Sequence, residues 1–194
     1  LAAAKSAARL FLGELRPSDQ AMVVAIGSEI ETIAPLSTDR STQYSAVASL
    51  DRWGTTSLHD AVIASIDAIQ PARGRRALIL LSDGDDRYSK ANPAEVLARA
   101  RQADVLIYPI ALGDRRPPLF AELASLTGGR SAFVRDVRTL PETLAGIARE
   151  LRHQYLIGYT PMRPLEDRGG WRSITVKVSK PGLLVRARDG YLVK

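Results

Sequence analysis

The stretch that decides the fold is ALILLSDGDD, residues 77–86, in which an apolar run leads directly into an acidic loop. A short apolar run bounded by a turn is typical of a strand buried on both faces. In open α/β sheets, ligands bind just beyond the carboxyl ends of the strands. Asp83, two residues past the apolar run, is therefore predicted to lie at a ligand-binding edge.

Outward from this strand, apolar strands and amphipathic helices alternate from residue 20 to residue 152. Strands are predicted at 21–26, 30–36, 77–81, 104–111 and 131–134. Helices are predicted at 1–15, 39–50, 58–70, 93–103, 118–126 and 140–152, with Ser57 as the cap of the third. This alternation predicts an α/β fold, a doubly wound and mostly parallel sheet with helices on both faces.

After residue 152 the pattern changes to strands with no helices between them. Strands are predicted at 154–160, 172–179 and 183–188, with Pro181-Gly182 as the hairpin turn between the last two. We therefore divide the chain into an α/β core, residues 1–152, and a C-terminal β extension, residues 153–194.

Composition narrows the class of protein. The 194 residues are 45% hydrophobic and 25% charged, which is ordinary for one globular domain with a small appendage. The chain has no cysteine, and no apolar run reaches the roughly 20 residues that span a bilayer. The net charge of +6 comes from dispersed arginines without interleaved aromatics, so nucleic-acid binding is not expected. The chain opens at Leu1 inside a helical pattern, and we expect it to be a piece of a longer protein.

The sequence lacks the common motifs of enzyme active sites. There is no G-x-S-x-G elbow, no phosphate-binding loop and no Cys nucleophile, and no sequence feature places a serine or an acid beside His59 or His153. The acidic residues Asp83, Asp85 and Asp86 could hold a metal that activates water, but no general base accompanies them. The chain is therefore predicted not to be an enzyme.

Oxygen donors near the sheet edge indicate a hard divalent cation. A Thr hydroxyl, an Asp carboxylate and water suit Mg²⁺. Simpler structural roles are open for the same residues. Asp83 and Gly84 could form only a turn, and Thr55 or Thr56 could cap only a helix.

Two motifs resemble the von Willebrand factor type A domain. They are GTTSLHDAV, residues 54–62, and RRALILLSDGDD, residues 75–86. The closing stretches ELRHQYLIGYTP, residues 150–161, and WRSITVKVSKPGLLVRARDGYLVK, residues 171–194, resemble the β extension of the bacterial, Acidobacteria-type branch of that family. The resemblance covers essentially the whole chain and suggests an exported bacterial protein.

The resemblance implies a metal-ion-dependent adhesion site. In the family, an Asp-x-Ser-x-Ser motif after the first strand, a loop Thr and a later Asp hold the metal, and a partner's carboxylate takes the open position. The matching positions here are Thr56, with Thr55 the less favoured choice, and Asp83; Asp85 and Asp86 receive no ligand role. The expected cofactor is Mg²⁺, and the expected partner is a protein that offers an acidic side chain.

The chain departs from the family pattern in one respect. No Asp-x-Ser-x-Ser occurs in the 194 residues, and the nearest string, Asp39-Arg40-Ser41-Thr42-Gln43, ends in Gln. We expect the missing strand and motif upstream of Leu1, in the middle of a sheet of order 3-2-1-4-5-6. Without them the chain is expected to bind Mg²⁺ poorly. Because its strand edges are unpaired, we also expect it to aggregate, to pair with something else or to be cut from a longer protein. The alternative function is a metal-free structural or scaffold domain of the same fold.

Overall fold

The structure, a computed structural model, describes residues 1–27, 29–51, 56–155, 157–161 and 170–193. The helices are α1 Ala2–Glu14, α2 Arg40–Ser49, α3 Leu58–Ile69, α4 Pro93–Gln102, α5 Pro118–Thr127 and α6 Leu140–Arg152. The strands are β1 Ala21–Ile26, β2 Ile30–Ser37, β3 Ala77–Ser82, β4 Leu106–Leu112, β5 Ala132–Val134, β6 Trp171–Ser173 and β7 Gly190–Leu192. The helices and strands predicted up to residue 152 are confirmed to within about two residues.

The strands of the α/β core form two separate sheets. β3, β4 and β5 pair in parallel in the order β3-β4-β5, with Ile79 opposite Tyr108 and Ala111 opposite Phe133. β1 and β2 form an antiparallel pair. The parallel sheet and its helices confirm the predicted α/β class.

Two hydrophobic clusters cover opposite faces of the parallel sheet, and β4 contributes to both. Ile107 and Ala111 face a cluster built with α3, α4 and α5. Tyr108 and Ile110 face a second cluster built with α1 and α6. Because successive side chains of a strand point to opposite faces, one buried strand supplies both layers of the core.

Between the two sheets, β1 and β3 do not pair with each other. Helix α3 nevertheless packs near both, since Ile26 of β1 joins the cluster that contains Leu58 of α3 and Leu80 of β3. The helical layer is therefore continuous where the sheet is not.

The predicted strands of the C-terminal extension are wrong in extent. In place of strands at 172–179 and 183–188, β6 and β7 pair over only three residues each at the base of the hairpin, with Trp171 opposite Leu192. Residues 154, 155 and 157–160 form no strand, contrary to prediction. A hairpin without a third strand or a packing surface is marginally stable, so the ladder forms only beside the core.

The extension forms its own small sheet and packs on the core near the carboxyl end of α5. The Asp189 amide donates to the Leu126 carbonyl at 3.2 Å, and Val193 is buried. Gly128, at φ +81°, permits this contact, since a Cβ there would lie 2.8 Å from the Ala187 carbonyl carbon. Among the helices described, none is long and apolar enough to cross a membrane.

Candidate functional site

The loop after β3 is a tight turn that leaves Asp83 exposed. The Ser82 hydroxyl accepts a hydrogen bond from the Gly84 amide at 3.1 Å, and Asp83 Oδ1 accepts one from the Asp85 amide at 3.0 Å. Gly84 has φ +85°, and a Cβ there would lie 2.0 Å from Pro117 Cγ, so only glycine fits. Asp83 therefore forms the turn and still presents its carboxylate to solvent.

Thr56 is joined to this acidic loop through its backbone. Its carbonyl accepts a hydrogen bond from the Arg87 amide at 3.0 Å, and its side chain is half-buried. The segment that carries Thr56 and the loop that carries Asp83 are thus held together, although 27 positions separate the two residues. Thr55, the second Thr candidate, lies outside the described residues.

Helix α3 is capped from the acidic loop. Ser57 occupies the N-cap position of α3, as predicted, but its side chain makes no capping hydrogen bond. Asp86 supplies the acceptor instead, since its carboxylate accepts from the His59 amide at 3.1 Å and from the Ser89 hydroxyl at 2.6 Å. The free amides of a helix N-terminus favour an anion, and here a distant residue supplies it.

Asp60, in the first turn of α3, in turn accepts hydrogen bonds from backbone amides that follow the acidic loop. Its two carboxylate oxygens accept from the amides of Lys90 and Ala91, each at 2.9 Å, and its own amide donates to the Ser89 hydroxyl at 3.1 Å. Asp86 and Asp60 therefore cap each other's segments. This reciprocal pair fixes the acidic loop against the start of α3, immediately beside Thr56.

Hydrogen bonding sets the charge of Asp86. Burial of the carboxyl group favours its neutral form, but hydrogen bonds from the Ser89 hydroxyl and the His59 amide outweigh burial and hold the pKa of Asp86 below its usual value. Asp86 is thus an anion at neutral pH that is already engaged by α3.

Asp85 is held by arginines. It forms ion pairs with Arg115, in the loop after β4, and with Arg87, at 3.8 Å. Asp83 is the most exposed residue of the acidic run, since Asp85 and Asp86 are both half-buried.

Several arginines follow the carboxyl ends of the parallel strands, the edge at which Asp83 lies, although their spacing in the sequence indicates only dispersed surface charge. Arg87, Arg115 and Arg135 are each at least 70% exposed and follow the carboxyl ends of β3, β4 and β5. Arg116 and Arg135 both lie over the Phe133 ring, with their guanidinium carbons 4.7 and 5.7 Å from its centroid. We call Arg87, Arg115, Arg116 and Arg135 the arginine rim. Arginines directly after predicted strands were the signal that could have revealed it.

His59 lies near Asp86 and Ser89, but the geometry is not that of a catalytic triad. His59 Nδ1 is 3.0 Å from the Ala91 carbonyl and 3.4 Å from Asp86, while the Ser89 hydroxyl donates to Asp86. A serine nucleophile needs a base that accepts its proton, and a carboxylate with a lowered pKa is a weak one. His153 contacts the Arg149 carbonyl of its own helix at 2.7 Å.

The oxygen donors at this edge are of the type that Mg²⁺ prefers, but they are too few to complete its coordination sphere. The Thr hydroxyl and Asp carboxylate are hard oxygen ligands, which Mg²⁺ prefers. Within the described part of the chain, however, no three His, Cys, Asp or Glu residues are grouped as a metal site. Thr56 and Asp83 alone would leave most of the coordination sphere to other ligands.

The string nearest to the missing motif has a structural role. Asp39 caps α2 by accepting hydrogen bonds from the Ser41 and Thr42 amides, at 2.9 and 3.3 Å. Hydrogen bonds from the two hydroxyl groups lower the pKa of Asp39 to about 2. This segment is a helix cap and does not replace Asp-x-Ser-x-Ser.

Comparison with known proteins agrees with this architecture. Residues 1–85 match the family model described as von Willebrand factor type A domain. A von Willebrand factor type A protein from Catenulispora acidiphila is 22% identical, with a TM-score of 0.69 over 76% of this chain. The chain spans 37% of that protein's length. No curated protein matches the sequence significantly.

Two further solved structures share the fold. BatB from Bacteroides thetaiotaomicron, a conserved hypothetical protein, is 18% identical with a TM-score of 0.60, covering 77% of this chain and 85% of its own. Proximal thread matrix protein 1 from the mussel byssus is 15% identical with a TM-score of 0.65, covering 77% of this chain and 40% of its own.

The parallel sheet and its two helical layers define a Rossmann-like α/β domain, with the acidic loop at the carboxyl end of β3. Residues 1–85 match the von Willebrand factor type A model, and the fold of the chain resembles solved domains of that family. Such domains are generally non-enzymatic modules for protein interaction.

Proposed function

We propose that this domain binds a protein partner through an acidic side chain at the carboxyl edge of β3, β4 and β5. Thr56 and Asp83 are the proposed metal ligands of this edge, and Mg²⁺ is the proposed cation. The remaining ligands come from outside the described residues, as an Asp-x-Ser-x-Ser segment would supply them. A bound cation would contribute a positive charge and an open position for a partner's carboxylate.

The observation that carries the proposal is the exposed Asp83 at the same edge of the sheet as the arginine rim. Guanidinium groups bind carboxylates in a bidentate geometry, so they suit an acidic partner. Arg115 and Arg135 already pair with Asp85 and Asp114. Exposed pairs of this kind contribute only about 0–1 kcal/mol, so an incoming carboxylate can displace them.

Charge complementarity also gives the interaction a defined salt dependence. Interactions between exposed charges are screened by salt, whereas contacts based on apolar area are not. Binding at this edge is therefore expected to weaken as ionic strength rises. Binding that is indifferent to salt would indicate a different surface.

A labelled hexaglutamate peptide provides a direct test. We expect weak binding, measured by fluorescence anisotropy, that falls as ionic strength rises. Arg115→Glu together with Arg135→Glu should weaken it roughly fivefold or more, because each change replaces an attraction by a repulsion. Mg²⁺ should strengthen it in the wild type and not in the Asp83→Ala variant.

The matched control is Arg73→Glu, which reverses an exposed charge between α3 and β3, away from the edge. Its effect on peptide binding should be small. Equal losses in the control and in the rim variant would mean that the peptide senses only net charge, and the proposed edge would then be wrong.

A further inference from the structure

The C-terminal extension carries an arm that packs against nothing in the described structure. Every residue from 175 to 184 is exposed, on both sides of the Pro181-Gly182 turn. We call these ten residues the arm. Gly182 has φ +78°, as a tight reversal requires. The arm is thus a hairpin end that projects away from the core.

Contacts with the core stop where the arm begins. Arg188 pairs with Asp104 at 3.3 Å, and Arg186 pairs with Glu150 at 2.6 Å. On the other side of the hairpin, the Ile174 amide donates to the Asp189 carbonyl at 2.9 Å. These contacts hold the base of the hairpin, and the residues beyond them are left in solvent.

Four of the ten residues of the arm are exposed aliphatic side chains. Val176 and Val178 are 38% and 48% exposed, while Leu183 and Leu184 are 56% and 88% exposed. The two leucines are consecutive and follow the turn directly, so the largest apolar side chains of the arm lie together at its tip.

The charge of the arm is entirely basic. It contains Lys177 and Lys180, and the nearest acidic residue after Trp171 is Asp189. Neither lysine forms an ion pair or a hydrogen bond with any residue that the structure describes. Lysines beside exposed aliphatic side chains match the interface of an anionic bilayer, where each basic residue contributes about 1 kcal/mol of attraction.

We propose that the arm inserts its leucine tip into the surface of an anionic lipid bilayer, with Lys177 and Lys180 at the headgroups. This membrane contact is peripheral, and it is independent of the ligand edge at Asp83. It would fix the domain to a surface while the arginine rim remains available for a partner.

The test is co-sedimentation of the chain with vesicles of phosphatidylcholine alone or mixed with phosphatidylglycerol. We expect binding to the mixed vesicles, little binding to the neutral ones, and weaker binding as salt rises. Leu183→Ser with Leu184→Ser should reduce the affinity about tenfold or more, because the inserted apolar area is lost. Lys177→Gln with Lys180→Gln should reduce the affinity and flatten the salt dependence.

The matched control is Leu10→Ser, which removes a leucine of α1 that is 58% exposed. This variant should bind like the wild type, and all variants should keep the wild-type circular dichroism spectrum because the altered side chains are exposed. Absence of vesicle binding would overturn the proposal and favour a protein partner for the arm. Binding that survives loss of both leucines would overturn it as well, since charge alone would then explain it.

Discussion

Asp86 stabilises the fold, although its place in an acidic run suggests a ligand. Its carboxylate accepts hydrogen bonds at the start of α3 and is only 15% exposed. The sequence predicted a cap for this helix but assigned it to Ser57, the nearest residue of the right type. Capping from 27 positions away depends on how the loop after β3 folds back, which no local pattern reveals.

Removal of this cap should destabilise the domain. We expect Asp86→Ala to lower the free energy of unfolding by about 1–2 kcal/mol, because amides at the start of α3 lose their acceptor. Ser57→Ala should cost less, because the Ser57 side chain caps nothing. Urea unfolding followed by circular dichroism compares the two variants. A larger loss for Ser57→Ala would show that the cap has been assigned to the wrong residue.

The Asp86 carboxylate also makes the stability of the domain depend on pH, in a direction that its lowered pKa determines. The pKa of Asp86 is lowered in the folded state, so its contribution is complete above the unfolded value of about 4. As pH falls through the folded pKa, that contribution is lost. The stability difference between wild type and Asp86→Ala should therefore shrink in acid, and a difference that persists unchanged would contradict the assignment.

At the scale of elements, one glycine and one glutamate are prominent among the contacts that attach the extension to the core. Gly128 allows the backbone of Ala187 to pass close to the end of α5. Glu150 of α6 accepts from the Tyr108 hydroxyl at 2.9 Å and pairs with Arg186 of the extension. Burial and this glutamate raise the pKa of Tyr108, so the phenol stays neutral and donates. A strand of the core, a helix and the extension thus meet at one carboxylate.

Two glycines with the same φ allow the cost of backbone strain to be distinguished from the cost of a steric clash. Gly74 and Gly128 both have φ +81°, but a Cβ on Gly74 meets nothing within 4 Å. Gly74→Ala should cost only the left-handed strain, about 1–2 kcal/mol. Gly128→Ala should cost more and should also speed hydrogen exchange at the Asp189 amide, which donates to α5. Equal costs with unchanged exchange would mean that the extension does not depend on this contact.

The sequence predicted the helices and strands of the core well and those of the extension poorly. Runs such as residues 77–81 and 104–111 carry their own signal, because burial on both faces requires continuous apolar residues. The alternating residues at 172–179 carry a strand signal as well, yet only Trp171–Ser173 pairs. Strand formation there depends on a neighbouring surface, and residues 175–184 have none among the residues that the structure describes.

The candidate site was predicted in part for the same reason. A short motif can mark Asp83 as the residue beyond a strand, because that position follows from the order of elements. The partners of Asp85 and Asp86 depend instead on distant loops, and the arginine rim joins three loops that are far apart in sequence. Whether Thr56 and Asp83 bind a cation stays a prediction.

At the scale of the whole molecule, helix α3 packs beside two sheets that do not pair with each other. β1 has β2 as its paired neighbour and β3 has β4, and each keeps one edge without a strand among the described residues. A sheet of order 3-2-1-4-5-6 would place one more strand between them. That position adjoins the loop after β3, so a strand there would bring its own carboxyl end close to Asp83.

The central claim is that Thr56 and Asp83 belong to one cation site at the edge of the sheet. Titration of ¹⁵N-labelled protein with Mn²⁺ tests it most directly, because the paramagnetic ion broadens the amides near it. We predict weak binding that broadens the amides around both Thr56 and Asp83. Asp83→Ala should abolish the broadening at both places, whereas Asp114→Ala, an exposed aspartate beyond the neighbouring strand, should leave it unchanged. Broadening that ignores Asp83, or that reaches one of the two segments without the other, would contradict the account.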